Sequence, residues 1–222
     1  MLSDSIFYKP AEAKNIQKAI IMLHGYGSSG NDMISMAPYM AKGLPDTIFY
    51  APNAPNEIMD GYKWFDLDEF AASSVYEQFD YLERLMKRAR PVLPMIFDLI
   101  RAVSQKNKLN ADEIFLMGFS QGGLMALMTG LLYKDKLAGI IGNSAVPIAI
   151  NSALTLEEVK NKPPVLLTHG YADDVVPYMG MQVSQNTLKN IGCKVETHSV
   201  NGMGHGIDET SIDKVIQFVL KN

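Results

Sequence analysis

Cysteine is almost missing from this sequence. Cys193 stands alone, so no internal disulfide can form and nothing in cysteine usage asks for an oxidising compartment. Also missing is any uninterrupted apolar run of about 18 residues, the length a membrane-spanning helix needs. Met1 to Pro10 lacks the basic start and unbroken apolar stretch of a signal peptide. No run of lysine and arginine is dense enough to neutralise a row of phosphates, and the formal net charge is −4, which argues against a nucleic-acid partner. Repeats, low-complexity tracts and Gly/Ser linkers are absent, which argues against a second domain. The expectation is one domain over residues 1–222, cytoplasmic, without stable membrane insertion, and monomeric or homodimeric; transient contact with a membrane stays open.

Hydrophobic residues make up 47% of the chain and charged residues 20%, the balance of a globular protein. Short apolar runs alternate with longer amphipathic ones, the pattern of a mostly parallel sheet covered by helices on both faces. Buried strands are predicted at Ala19 to His24, Thr47 to Tyr50, Glu113 to Phe119, Leu137 to Asn143 and Val165 to His169. Lys194 to Val200 alternates, with Val195, Thr197 and Ser199 on one face and Glu196 and His198 on the other, as a strand near the sheet edge would. Ile6 to Lys9 reads as an added antiparallel strand. Helical spacing covers Asp32 to Lys42, Val75 to Asn107 with a break at Pro91 to Pro94, Gly122 to Tyr133, Tyr178 to Asn190 and Ser211 to Lys221. Asn53 to Ala72 and Ala145 to Lys162 read as irregular, pocket-forming loops.

Gly118-Phe119-Ser120-Gln121-Gly122 is a G-x-S-x-G sequence between a predicted strand and a predicted helix, the context in which a tight turn forces its serine into a strained, exposed conformation. Such pentapeptides also arise by chance, so a base and an acid must be found elsewhere before a nucleophile is inferred. In this arrangement both partners follow the serine, acid first, on loops at the carboxyl ends of later strands. After Val165 to His169 comes Gly170-Tyr171-Ala172-Asp173-Asp174-Val175-Val176-Pro177, and either aspartate suits; one or both could instead cap the next helix. Of four histidines, His205 lies in the glycine-rich Gly202 to Gly206 loop and is the better base. His198 lies within a strand, while His24 and His169 end strands, lack metal-ligand spacing and read as structural.

Gly25-Tyr26-Gly27-Ser28-Ser29-Gly30 is a literal G-x-G-x-x-G after a strand. A dinucleotide site would want an acidic residue about 20 positions on, at the end of the second strand, and that strand ends Tyr50-Ala51-Pro52. In a hydrolase the same loop supplies backbone N–H groups to an oxyanion hole, here Tyr26 with Gln121. Replacing the Gln121 side chain leaves its main-chain N–H in place, so it tests that assignment poorly.

With Leu23-His24-Gly25-Tyr26-Gly27, Trp64-Phe65-Asp66, Gly118 to Gly123, His169-Gly170 with Asp173 and Val176-Pro177, and Gly204-His205, the chain resembles the carboxylesterase and acyl-protein thioesterase family over nearly its whole length. The resemblance implies an α/β-hydrolase fold with a minimal cap, selects Asp173 over Asp174, and implies that Ser120, Asp173 and His205 cleave esters or thioesters through an acyl-enzyme. It implies no metal or organic cofactor. Substrates would be small-molecule or lipid acyl esters and thioesters, acylated proteins among them, with a lysophospholipid or short aryl ester next. Trp64, Phe65, Val146, Pro147, Ile148 and Ile150 are candidates for the acyl-binding surface, against ordinary core packing. Two departures border that surface: Phe70 to Leu99 is longer than in the eukaryotic thioesterases, and Tyr26 stands where leucine is common. A noncatalytic binding protein ranks below because nucleophile, acid and base are all present. A cysteine-dependent hydrolase fails because the turn carries serine.

Overall fold

A computed structural model describes residues 5–67 and 75–222; the start of the Phe70 to Leu99 extension and the end of the Asn53 to Ala72 loop therefore lie outside the described residues. Nine strands are found among the described residues: β1 (Ile6–Tyr8), β2 (Lys18–Leu23), β3 (Thr47–Ala51), β4 (Asn56–Ile58), β5 (Gly61–Lys63), β6 (Ile114–Phe119), β7 (Gly139–Asn143), β8 (Val165–Gly170) and β9 (Val195–Val200). The helices are α1 (Gly30–Ile34), α2 (Ala37–Gly43), α3 (Val75–Ala89), α4 (Leu93–Asn107), α5 (Gln121–Leu132), α6 (Met179–Asn190) and α7 (Glu209–Lys221). Seven strands form one sheet in the order β1-β3-β2-β6-β7-β8-β9, and β4 and β5 make a separate hairpin. Only β1 runs antiparallel in the large sheet, against β3.

Alternating side chains on the central strands feed two apolar layers. Ala19, Ile21 and Leu23 of β2, with Ile114 and Leu116 of β6, pack on the side of α3 to α6. Ile20, Met22, Phe115 and Met117 face α2 and the Ile212, Val215, Phe218, Val219 stripe of α7. Burial on both faces explains why these strands read as unbroken apolar runs. Helix α5 is buried from Gln121 to Leu131, as expected of a helix apolar all round.

Three expectations change. The Asn53 to Ala72 segment, read as irregular, contains the β4–β5 hairpin, Asn56 to Lys63. Asp32 to Lys42 is two helices: a capping box between Ser29 and Asp32 starts α1 two residues early, and Pro38 opens a second helix because it cannot continue the first. Strand β9 is at the edge, but its two faces are not separated by burial. Thr197 is its exposed residue and His198 is half-buried, since Thr210 of α7 bonds His198 and Tyr178 bonds Ser199 from the other layer. No helix among the described residues is long and apolar enough to cross a membrane.

The chain runs outward from β2 to β3 and then returns to place β6 on the other side of β2. In open α/β sheets, ligands bind outside the carboxyl ends of the strands at such a reversal.

Candidate active site

Ser120 follows β6 at that reversal with φ 52° and ψ −116°, a region that costs a residue with a side chain about 1–3 kcal/mol. The surroundings hold it there. Its N–H donates to Asn143 O (3.0 Å), and its carbonyl accepts from Gly123 N–H (3.0 Å) and Val146 N–H (3.1 Å). The flanking glycines are required by close approach: a Cβ on Gly118 would lie 2.1 Å from Gly122 O, and one on Gly122 would lie 2.2 Å from Leu23 O. The hydroxyl of Ser120 makes no hydrogen bond to a described protein atom, and the residue is half-buried.

Asp173 sits three residues beyond β8 and its carboxylate is fully used. Oδ1 accepts from Val175 N–H (3.0 Å) and Val176 N–H (2.8 Å). Oδ2 accepts from His205 Nδ1 (2.9 Å), with His169 Nε2 at 3.2 Å. Burial pushes this carboxyl up, but the bonds from His205, Val176 and Val175 outweigh it and hold it below the ordinary value. Asp174 is exposed and has no hydrogen bond among the described residues, so direction separates two aspartates that chain order could not.

A His205 that donates from Nδ1 to Asp173 keeps Nε2 free to accept a proton. Its ring lies against Phe119, centroids 4.8 Å apart, beside the serine. Two contacts fix its loop: Ala172 N–H donates to Met203 O (3.0 Å) and Ser144 Oγ donates to Gly206 O (3.2 Å). Ser144 is itself buried with φ 40°. Sequence reasoning missed Phe119 and Ser144, which carry no motif signal; only position beside the nucleophile and at a strand end could have pointed to them.

His169, beside Asp173, and His24 are each held by bonds to the backbone. His169 Nε2–H donates to Val176 O (2.7 Å). His24 donates from Nδ1 to Gly25 O (2.7 Å) and accepts Ala54 N–H at Nε2 (2.9 Å). Burial lowers the pKa of both. Cys193 is buried, and burial pushes its thiol up to about 11, which leaves it protonated and unreactive.

Tyr26 lies on the loop after β2, where a Cβ on Gly25 would come 3.4 Å from Ser120 Cβ. Neither the Tyr26 nor the Gln121 amide N–H has a protein acceptor among the described residues. Of the sequence-predicted acyl contacts, Val146 and Pro147 are half-buried beside Ser120, as is Ile150 further on, whereas Trp64, Phe65 and Ile148 are buried. No group of three metal-ligating side chains is found among the described residues. A groove of about 870 Å³ bounded by Asp112, Lys136, Lys162 and Lys194 lies at the amino ends of the strands, away from these residues.

A mostly parallel sheet of this order, with a strained serine at its reversal, defines the α/β-hydrolase class, and the protein is a serine hydrolase of ester bonds. The solved structure of esterase PE8 shares the fold with a TM-score of 0.86 at 32% identity, over 98% of this chain and 97% of that one. Acyl-protein thioesterase 2 of Zea mays, at 22% identity and a TM-score of 0.75 over 98% and 97%, shares the fold. The chain belongs to the phospholipase/carboxylesterase family, whose profile matches residues 9–222. Its curated relatives include acyl-protein thioesterase 1 of Neurospora crassa, 29% identical over 95% of this chain and 88% of that protein. That of Debaryomyces hansenii is 29% identical over 94% and 93%.

Proposed function

We propose that Ser120, His205 and Asp173 form a catalytic triad that cleaves carboxylic esters and thioesters through an acyl-enzyme. The observation that carries the reading is the 2.9 Å bond from His205 Nδ1 to a buried Asp173, on a loop whose histidine packs against the residue preceding a strained serine. His205 Nε2 takes the Ser120 proton as Oγ attacks the carbonyl, and Asp173 holds the imidazole in the right tautomer and stabilises its charged form. The amide N–H groups of Tyr26 and Gln121 meet the oxyanion. His205 returns the proton to the leaving alcohol or thiol, then activates the water that releases the acid.

The acyl chain runs over Val146 and Pro147, which are within reach of solvent, while Trp64, Phe65 and Ile148 back that surface from the core. A moderately long acyl ester or thioester is the proposed substrate; the names of the relatives, acyl-protein thioesterase and carboxylesterase, speak for acyl thioesters and carboxylic esters as classes. The reaction uses no metal or organic cofactor and runs within one domain spanning residues 1–222.

Rapid mixing with p-nitrophenyl acetate tests the covalent step. A burst of nitrophenol approaching one equivalent per chain is expected, absent in folded Ser120→Ala; steady turnover by that variant would contradict the triad. Esters of graded chain length measured alongside give the acyl preference.

A further inference from the structure

The side chain of Gln121 is buried and both its polar atoms are committed. Oε1 accepts Trp64 N–H (2.9 Å), and Nε2 donates to Phe65 O (2.8 Å). The two backbone partners fix which end is oxygen and which is nitrogen. Trp64 carries the connection onward: its indole Nε1–H donates to His24 O (2.8 Å), and the two rings lie 5.3 Å apart. His24 in turn donates to Gly25 O and accepts from Ala54. On the far side of Tyr26, Gly27 N–H donates to Tyr62 O (2.9 Å) and Tyr62 N–H donates to Ser28 O (2.8 Å). The loop carrying Tyr26 is thus held before it by His24 and Trp64 and after it by β5. The segment that does the holding is gripped by the side chain of the residue that supplies the other oxyanion amide.

We infer that the Gln121 side chain, Trp64 and His24 are a positioning network that sets the Tyr26 amide against the Gln121 amide, so that both N–H groups converge on one oxyanion. The inference rests on the triad and oxyanion-hole reading above. None of the three side chains touches the reacting atoms; they act through the backbone of residues 24 to 28. Donors preorganised to fractions of an ångström stabilise charge that develops only in the transition state, so a slackened network costs turnover rather than substrate binding.

Trp64 is the sole tryptophan, so its fluorescence reports on the network directly. The test compares Gln121→Met, Trp64→Phe and the double variant, using p-nitrophenyl butyrate kinetics and inhibition by an alkyl trifluoromethyl ketone, which forms an oxyanion on the nucleophile. Each single variant is expected to lower kcat by about 10- to 100-fold, as small misplacements of reacting groups do, with KM nearly unchanged and the ketone weakened in proportion. Acrylamide should quench Trp64 more readily in Gln121→Met. The double variant should lose less than the product of the singles, because both changes break one network. Unchanged kcat and ketone affinity in folded Gln121→Met, or strictly multiplicative losses, would overturn the inference. If Gln121→Met does not fold, Trp64→Phe decides alone, since it replaces the indole by the smaller phenyl ring and so removes the Nε1–H donor while keeping an aromatic ring; normal turnover there overturns the network. Turnover surviving in Ser120→Ala sinks the underlying triad instead, and an inactive Ser120→Ala beside a normal Gln121→Met sinks only the network.

Discussion

Asp173 and Asp174 are adjacent in the chain, and only one faces His205. With Oδ2 on His205 and Oδ1 on two backbone N–H groups, Asp173→Asn would place an amide N–H toward the imidazole and favour the wrong tautomer. A loss in kcat on the order of 10⁴-fold is expected, whereas Asp174→Asn should leave kcat unchanged; p-nitrophenyl butyrate turnover checks both. The same carboxylate carries a pH signature. Because its pKa is lowered in the folded protein, it stabilises the fold above the unfolded value of about 3.9, and that contribution is lost as pH falls through the lower native value. Urea midpoints of wild type should therefore fall more steeply below about pH 4 than those of Asp173→Asn. The serine was legible from its two flanking glycines, because close approach there tolerates no side chain. Asp173 was legible only as one of a pair, because residue order says nothing of which way a side chain points. Trp64 stood in an apparent pocket loop, yet its ring is fully buried; the loop runs over the surface while its largest apolar side chain anchors it beneath.

Among the elements, the junction of β6 and α5 is packed backbone against backbone. Helix α5 starts so close to β2 that Gly122 faces the Leu23 and His24 carbonyls, and backbone cannot yield as a flexible side chain would. Gly122→Ala is expected to cost at least ~3 kcal/mol in chemical denaturation, or to abolish soluble expression; a loss below about 1 kcal/mol would show that the helix can shift without penalty. The element pattern itself followed the sequence where burial is one-sided or complete. The sequence pattern ran two helices together where periodicity continued across a break, as at Pro38, and missed the short β4–β5 hairpin; the edge strand β9 lies where it was read, and only its burial differs, because α6 and α7 cover both faces, as at His198. Ser144 left no trace in the sequence, since its use depends on a positive φ and on a carbonyl 62 residues away.

At the scale of the whole molecule, the fold gathers residues from four strand ends. Tyr26 follows β2, Ser120 follows β6, Asp173 follows β8 and His205 follows β9, all at the carboxyl edge of one sheet. That placement was legible because α/β topology constrains it. The shape of the proposed acyl-binding surface was not, because it depends on how irregular segments fold over the edge. The claim on which the rest depends is that this edge presents Ser120 as the nucleophile. The most direct measurement is mass spectrometry of the native protein after treatment with a fluorophosphonate. A single adduct on the peptide containing Ser120, absent in Ser120→Ala and much slower to form in His205→Ala, is the predicted result. A well-folded protein that takes no adduct, or takes it elsewhere, would contradict the account.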